Sequence, residues 1–279
     1  MNFNTNEKTD DQVEIIMADA LEKYGYDFTG YSRASFKRRI VRLYTLDKMR
    51  NFAQFRHKLR SDVEYFNRFL ENITINVTEM FRDSNFYIAL REQIFPNLGT
   101  FPFIRIWVAG CSTGEEAYSV AIILKELNLL KKSLIYATDI NKVVLEKGAQ
   151  GMFPINKMKQ YSENYNVSGG TENFSEYYTA NYSLAQFNNE LREKIVFSSH
   201  NLVSDKSFNE FQLILCRNVL IYFDHLLQTK VFTLFDESLD NLGYLALGTK
   251  ESLENHFVRK GYKRIFPEKI WRKMTNADI

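Results

Sequence analysis

The sequence predicts a small all-α bundle followed by a larger α/β domain that is built on a mostly parallel sheet. In the first 75 residues, apolar side chains recur at the spacing of one-sided helices. From residue 103 onward, short apolar runs alternate with helical segments, which is typical of a parallel sheet covered by helices. A hairpin pattern over residues 261–274 indicates that antiparallel strands close the sheet. We therefore place the helical domain at residues 1–75 and the α/β domain at residues 76–279.

Four helices are predicted in the first domain. The first has an apolar stripe formed by Val13, Ile16, Met17, Ala20, Leu21 and Tyr24. The second runs from Ser35 to about Leu46, with a stripe formed by Phe36, Ile40 and Leu43. The third is indicated by Phe52, Phe55 and Leu59. The fourth is indicated by Val63, Phe66, Phe69, Leu70 and Ile73.

Buried strands are predicted in the second domain at residues 103–110, 133–139, 194–202, 211–218 and 243–248. Helices are predicted after the first strand, over residues 141–151 and over residues 224–239. The buried side of the last helix is expected to comprise Leu226, Leu227, Val231, Leu234 and Phe235. Residues 152–194 are rich in Asn, Ser and Tyr and interrupt the alternation, so we interpret them as a small inserted antiparallel subdomain.

The composition is that of an ordinary globular protein, with 45% hydrophobic and 25% charged residues, which excludes a disordered or fibrous chain. Two cysteines, Cys111 and Cys216, do not form a disulfide framework. The N-terminal residues are polar and acidic, so we expect no signal peptide. Because no apolar run approaches the length of a membrane span, we expect a cytoplasmic protein that does not insert into membranes.

Positive charge is concentrated in one short segment. Residues 33–60 contain ten Lys and Arg residues against the single Asp47, a net charge of +9, whereas residues 76–279 are balanced. Such a block indicates an acidic partner, which is phosphate, an anionic lipid or an acidic protein face. The alternative is a basic helix face that is only solvated.

A turn of small residues follows the first predicted strand, in the segment Val108–Tyr118. Only Gly110 and Gly114 are present, so the spacing is not that of a dinucleotide-binding loop, and Glu115 stands where a phosphate-binding loop needs lysine. The carboxylates of Glu115 and Glu116 would together repel a pyrophosphate and tolerate a cationic ligand. The alternative is a plain strand–helix connection.

Asp139 ends the second predicted strand, where an acidic residue typically binds ribose hydroxyls. Its alternative role is to cap the helix that follows. Taken together, the turn and Asp139 indicate a nucleoside ligand without a pyrophosphate. A nucleoside joined to a cationic sulfonium has this chemistry, and S-adenosylmethionine is such a molecule.

Three further segments place polar residues at positions of interest. Cys216–Phe223 carries Arg217, Asn218 and Tyr222 at the carboxyl end of a buried strand, where ligands of open α/β sheets bind. Asn201 and Leu202 follow the preceding strand. Where the two domains meet, the candidates are Asn76, Thr78 and Arg82, although these residues are also suited to helix capping or to the surface.

These segments resemble the CheR-type family of chemotaxis receptor glutamate O-methyltransferases. The similarity lies in NVTEMFRD (76–83), STGEEAYS (112–119), ATDI (137–140), NL (201–202) and CRNVLIYF (216–223). GYSRASFKRRIVR (30–42) is similar to the basic N-terminal segment of that family. Cys111 and Ala117 depart modestly from the family pattern, whereas the insertion at 152–194 matches poorly, which leaves open whether it binds a receptor C-terminal peptide.

The resemblance implies a Rossmann-like class I methyltransferase domain and an S-adenosylmethionine cofactor that leaves as S-adenosylhomocysteine. It implies cofactor contacts from Asn76, Thr78, Arg82, Glu116, Asp139, Asn201, Leu202, Arg217 and Asn218. Arg82 and Tyr222 would position the substrate and the methyl group. Arg38, Arg39 and Arg42 would dock the cytoplasmic helical region of a methyl-accepting chemotaxis receptor.

The chemistry of the residues agrees with glutamate methylation. A glutamate side chain has a pKa of about 4.3, so it reaches a sulfonium methyl already ionised, and no general base is needed. His57, His200, His225 and His256 show no triad-like or metal-like spacing, and we expect no metal. The alternatives are a nucleic-acid methyltransferase and a catalytically silent adaptor that binds the cofactor. We expect a monomer that binds no nucleic acid.

Overall fold

The computed structural model describes residues 6–74, 78–253 and 261–275, with the side chains described from Asp10 onward. The chain divides into two compact units, which are described in turn. The first unit comprises Met1–Asn76, Asn201–Asp205 and Tyr222–Val231. The second unit comprises Val77–His200, Lys206–Ile221 and Phe232–Ile279.

The first unit is built on four helices, and all four predicted helices are confirmed. They are α1 (Asn6–Tyr24), α2 (Arg33–Leu46), α3 (Phe52–Ser61) and α4 (Val63–Thr74). Two residues predicted on the apolar stripes are exposed: Leu21 is 49% exposed and Val63 is 61% exposed. Leu21 follows the buried Ala20 directly and is therefore rotated by about 100° from it, and Val63 opens its helix.

The segment around Tyr222 joins this unit through backbone hydrogen bonds to the residues that precede α2. The Ser32 N–H donates to the Tyr222 carbonyl (2.7 Å), and the Asp224 N–H donates to the Gly30 carbonyl (2.7 Å). Gly30 has φ +82°, and a Cβ there would lie 2.8 Å from the Leu227 Cβ, so a side chain does not fit. The backbone of Tyr222 is thus held by the residues that immediately precede the basic segment.

The second unit contains a seven-stranded sheet of order β6-β2-β1-β7-β8-β10-β9. Its strands are β1 (Ile104–Ala109), β2 (Ser133–Asp139), β6 (Ile195–Ser199), β7 (Phe211–Cys216), β8 (Leu239–Leu247), β9 (Tyr262–Phe266) and β10 (Ile270–Lys273). The five strands from β6 to β8 are parallel, and β9 and β10 form the antiparallel closing hairpin that was predicted. The carboxyl ends of β2, β1, β7 and β8 therefore lie side by side along one edge.

Seven further helices follow along the chain in the described ranges. They are α5 (Ser84–Ala89), which continues through a π-helical turn (Leu90–Ile94) into α6 (Phe95–Leu98), then α7 (Glu115–Glu126), α8 (Lys142–Gln150), α9 (Met158–Val167), α10 (Asn189–Arg192) and α11 (His225–Ser238), whose residues up to Val231 belong to the first unit. One prediction for α11 is wrong: Leu226 is 84% exposed, whereas its neighbour Leu227 is buried. Adjacent helical residues point about 100° apart, so only one of this pair can face the core. None of the helices in the described ranges has the length and apolar character that a membrane span requires.

Residues 152–187 form a second, antiparallel sheet of order β3-β5-β4, as predicted for the insertion. Its strands are β3 (Met152–Pro154), β4 (Tyr178–Asn181) and β5 (Leu184–Phe187). Ala185 and Phe187 on the central strand are buried with Phe153 in the core of the second unit. The small sheet therefore shares the core of the second unit.

Glu126, the last residue of α7, links the inserted region to α7 and to the π-helical turn that precedes α6. Its side chain is 3% exposed and pairs with Arg91 at 2.5 Å. It also accepts hydrogen bonds from the hydroxyls of Tyr165 and Tyr177, the latter at 3.0 Å. Burial by itself raises the pKa of Glu126, but the hydrogen bonds from Tyr165 and Arg91 outweigh it and bring the pKa below its ordinary value.

We expect Glu126→Gln to lower the free energy of unfolding by about 3–5 kcal/mol at pH 7, because it leaves the buried Arg91 charge unpaired. The contribution of the carboxylate is present above the unfolded-state pKa of about 4.3 and is lost as pH falls through the lower folded-state pKa. Urea denaturation should therefore show a smaller deficit at pH 4 than at pH 7.

The matched control is Glu190→Gln. Glu190 is 54% exposed, and it pairs with Lys125, the neighbour of Glu126 on α7. It should cost less than about 1 kcal/mol. Equal stability of the Glu126→Gln variant and the wild-type protein at pH 7 would contradict the role of Glu126.

Candidate functional site

A tight turn connects β1 to α7 at the carboxyl edge of the sheet. Gly110 (φ +74°), Ser112 (φ +52°) and Gly114 (φ +92°) all have left-handed backbone conformations. A Cβ on Gly110 would lie 2.4 Å from Val219 Cγ2, so the absence of a side chain lets the turn approach the segment after β7. The glycine positions that the sequence singled out are therefore required by geometry.

Asp139 holds this turn from the end of β2. Its carboxylate accepts hydrogen bonds from the N–H groups of Ser112 and Asn141, both at 2.9 Å. The alternative of a helix cap at Asp139 is wrong, because the cap of α8 is Asn141, whose side chain accepts from the Val143 N–H. Burial raises the pKa of Asp139, and the two backbone N–H groups act in the opposite direction. Asp139 thus joins the ends of β1 and β2.

The two glutamates at the start of α7 have different surroundings. Glu115 is buried and accepts hydrogen bonds from the hydroxyls of Thr113 (2.6 Å) and Tyr161 (3.3 Å). Glu116 instead accepts from Arg217 Nη1 at 3.0 Å. Both carboxylates therefore have partners within the chain, and a cofactor contact from Glu116 stays a prediction from the resemblance.

Arg217 is the centre of a charged cluster formed by three distant segments. Its Nη2 donates to Asp83 Oδ2 (2.7 Å) and to the Arg82 carbonyl (3.2 Å), and its guanidinium lies 4.0 Å from the centre of the Phe86 ring. Burial alone lowers the pKa of Arg217, but Glu116 and the other negative groups nearby raise it above its ordinary value. The cation is therefore retained although its side chain is only 3% exposed.

Backbone strain is concentrated in the same segments. Phe81, Asp83 and Asn218 have φ values of +54°, +61° and +62°, in the left-handed region that residues other than glycine rarely adopt. Such residues often lie at functional sites, because the surrounding structure must hold them there. A cavity of about 480 Å³ opens beside Arg217 and is also lined by Asp83, Phe86, Leu247 and Glu268.

Two buried polar atoms at this edge fit a polar ligand. Within the described ranges, neither Ser112 Oγ nor Arg217 Nε has a hydrogen-bond partner. Buried polar groups normally find partners, so an unsatisfied group needs an explanation. The Ser112 N–H donates a hydrogen bond to Asp139, and a hydroxylated ligand such as a ribose would supply a hydrogen-bond partner for the Ser112 hydroxyl.

The other predicted cofactor residues are placed as follows. Thr78 and Arg82 are half-buried and precede α5 in the second unit. Asn201 and Leu202 belong to the first unit, where Asn201 Oδ1 accepts from the Val203 N–H (2.9 Å). Asn76 lies outside the described residues.

Tyr222 and the three docking arginines belong to the first unit. Arg38 and Arg42 are exposed on α2. Arg39 differs from them, because its Nη1 donates to the Asn72 carbonyl (2.8 Å) and its guanidinium lies 6.0 Å from the centre of the Tyr222 ring. Arg39 therefore faces the bundle and Tyr222, whereas Arg38 and Arg42 are exposed; receptor docking by the three arginines stays a prediction.

The described histidines show no catalytic arrangement. His200 packs against Trp107 and Phe208, with Nε2 at 3.2 Å from the Lys206 carbonyl, and His57 and His225 are exposed. His256 lies outside the described residues. In the part of the chain that the structure describes, no group of three or more His, Cys, Asp and Glu residues is suited to holding a metal.

Both cysteines, Cys111 and Cys216, are buried and free of disulfide bonds. Burial raises the pKa of the Cys111 and Cys216 thiols, and the negative charges nearby act in the same direction. The two side chains are therefore thiols rather than thiolates at neutral pH.

Sequence reasoning missed Glu251, which lies shortly after β8. Its carboxylate accepts four backbone hydrogen bonds, from Gly248 (2.6 Å) and from the three residues Asn218, Val219 and Leu220 (2.8–2.9 Å). A single glutamate in a loop has no periodicity to indicate burial. The available signal was its position just beyond a predicted buried strand.

Comparison with known proteins matches both parts of the chain to one family. Residues 11–74 match the family model "CheR methyltransferase, all-alpha domain", and residues 76–264 match "CheR methyltransferase, SAM binding domain". SAM is the abbreviation for S-adenosylmethionine. These matches confirm the predicted resemblance and the predicted fold class, a helical domain followed by a Rossmann-like methyltransferase domain.

Related proteins cover most of the chain. The protein "Putative methyltransferase Cher3" of Pseudomonas putida is 42% identical over 97% of this chain and 100% of its own length. A "Chemotaxis protein methyltransferase" of Listeria innocua is 33% identical over 83% of this chain and 86% of its own length. The protein of the same name from Salmonella typhimurium is 32% identical over 67% of this chain and 64% of its own length.

Methyltransferases are also found among the solved structures that match the chain. The glycopeptide N-methyltransferase MtfA in complex with S-adenosylmethionine is 10% identical, with a TM-score of 0.35 over 57% of this chain and 53% of that chain. Because two models of one family match most of the chain, and because its relatives include chemotaxis protein methyltransferases, the chain belongs to the CheR family of S-adenosylmethionine-dependent chemotaxis protein methyltransferases.

Proposed function

We propose that this protein transfers the methyl group of S-adenosylmethionine to glutamate side chains of chemotaxis receptors, giving glutamate 5-O-methyl esters. The observation that supports this most directly is the link between Asp139 and the turn that carries Ser112 and leads to Glu116. A carboxylate at the end of β2 and an unpartnered hydroxyl beside it suit a ribose. The acidic start of α7 suits a cationic ligand and opposes a pyrophosphate.

The proposed cofactor contacts in the second unit come from Thr78, Arg82, Glu116, Asp139, Arg217 and Asn218. Arg217 pairs with Glu116 and Asp83, which leaves one negative charge in excess among these three side chains. Such a surplus favours a ligand with a positive charge. The roles of Asn76, Asn201 and Leu202 remain predictions from the resemblance.

When bound, S-adenosylmethionine supplies an electrophilic methyl group. The acceptor glutamate arrives ionised, so the chain has only to orient the carboxylate and exclude water. We propose that Arg82 and Tyr222 position the acceptor. We also propose that the exposed residues Arg38 and Arg42 attract the acidic helical region of the receptor, which lies in the cytoplasm in methyl-accepting receptors.

The function is tested by incubating the protein with methyl-labelled S-adenosylmethionine and receptor-containing membranes, followed by mild base. Release of volatile label by base is expected, because carboxylate methyl esters hydrolyse there. Base-stable label on nucleic acid would overturn the proposal. Cofactor binding without transfer to any receptor would instead indicate a silent adaptor.

We expect Asp139→Asn to weaken S-adenosylhomocysteine binding at least tenfold, because a charge-assisted hydrogen bond contributes about 1.5–3 kcal/mol. Isothermal titration calorimetry measures this affinity. The control is Asp240→Asn, near the amino end of β8 at the opposite edge of the sheet. Unchanged affinity in the Asp139 variant would remove Asp139 from the site.

Replacing the histidines should leave turnover within a few-fold, because the acceptor needs no base. Suitable variants are His57→Ala, His200→Asn, His225→Ala and His256→Ala. Activity should fall with pH only as the acceptor glutamate protonates near its pKa of about 4.3. Loss of the chemical step in one folded variant would show that a base is required.

Reversing the charge of Arg38 and Arg42 together should slow receptor methylation by roughly tenfold at low salt, because long-range attraction mainly accelerates encounter. The defect should shrink at high salt, and cofactor affinity should stay constant. The double variant Lys131→Glu/Lys263→Glu changes two exposed lysines by the same net charge and should behave like the wild-type protein. Full methylation by the Arg38→Glu/Arg42→Glu variant at low salt would exclude this docking surface.

A further inference from the structure

Glu251 makes an unusual set of contacts for a residue in a loop. It is 5% exposed, and each of its carboxylate oxygens accepts two backbone hydrogen bonds. Oε1 accepts from the N–H groups of Val219 (2.9 Å) and Leu220 (2.8 Å). Oε2 accepts from those of Asn218 (2.9 Å) and Gly248 (2.6 Å). One side chain therefore binds the loop that follows β7 and the loop that follows β8.

These hydrogen bonds lie just beyond the carboxyl ends of β7 and β8, where strand pairing has ended. The pairing of β7 with β8 ends at Cys216 and Leu247, so the N–H groups that follow in both strands need other partners. Asn218 is in the left-handed region at φ +62°, a conformation that depends on external support. Glu251 provides that support, since it accepts from the N–H of Asn218 and from those of the next two residues.

The two loops are also packed closely together. A Cβ on Gly248 would lie 2.8 Å from the Asn218 nitrogen and 2.7 Å from Glu251 Oε2. A side chain at position 248 would therefore displace the atoms that form the hydrogen bond between Asn218 and Glu251. Directly before Asn218 stands Arg217, whose guanidinium reaches Glu116 and Asp83. A shift of the loop would therefore displace both Arg217 and Asn218.

We infer that Glu251 is a positioning residue for the cofactor site: it fixes the loop after β7 so that Arg217 and Asn218 are held ready to bind S-adenosylmethionine. This inference rests on the function proposed above. It assigns no contact with the cofactor to Glu251 itself. All four partners of the carboxylate are donors, so an amide of the same size cannot replace it without directing its own N–H groups at backbone N–H groups.

The test compares Glu251→Gln with Glu126→Gln in the full chain. Both changes convert a buried, multiply bonded carboxylate into the isosteric amide, and Glu126 lies at the far end of α7 from Glu116. Calorimetric titration with S-adenosylmethionine should show at least a tenfold loss of affinity for Glu251→Gln and an unchanged affinity for Glu126→Gln. Glu251→Asp keeps both oxygens and should recover part of the loss.

Gly248→Ala provides a second route if Glu251→Gln does not fold, because it disturbs the same loop while the carboxylate stays. It should also weaken binding about tenfold. Wild-type affinity in folded Glu251→Gln, or in Gly248→Ala where the former cannot be measured, would overturn the inference. Failure of the wild-type protein to bind S-adenosylmethionine would overturn the proposed function itself, so the two failures are distinguishable.

Discussion

The arrangement of the second unit depends on the need to pair the buried charge of Arg217. An unpaired guanidinium in this position would be very costly, and the chain meets the requirement with carboxylates from two other segments. Asp83 comes from the turn before α5, and Glu116 comes from the first turn of α7. The parallel order of β1 and β7 brings the second of these segments within reach. The surrounding structure then holds four residues near this edge in left-handed backbone conformations, namely Phe81, Asp83, Ser112 and Asn218.

Periodicity predicted the secondary structure well, since burial of one face leaves a repeating signal. The strand at 133–139 and the four helices of the first unit lie where the apolar spacing placed them. Errors arose where two apolar residues are adjacent in a helix, as at Leu226 and Leu227. Composition assigns both to the core, but helical geometry allows only one of them to face it.

The site was predictable to the extent that its residues follow strands. Asp139 ends a buried strand and Arg217 directly follows another, and the sequence therefore places both at one edge. What the sequence lacked was the direction of each side chain. It could not separate Glu115, which is bonded to Tyr161, from Glu116, which is bonded to Arg217. Nor could it identify Glu251, because hydrogen bonds to backbone N–H groups leave no pattern in the partner residues.

The backbone hydrogen bonds between residues 30–32 and 222–224 have a mechanical consequence. Ser32 immediately precedes α2, and its N–H is bonded to the carbonyl of Tyr222 itself. The second bond, from Asp224 to Gly30, prevents the two segments from sliding past each other. A displacement of the start of α2 relative to Tyr222 would therefore have to break main-chain hydrogen bonds, so that movement of the basic helix is coupled to movement of Tyr222.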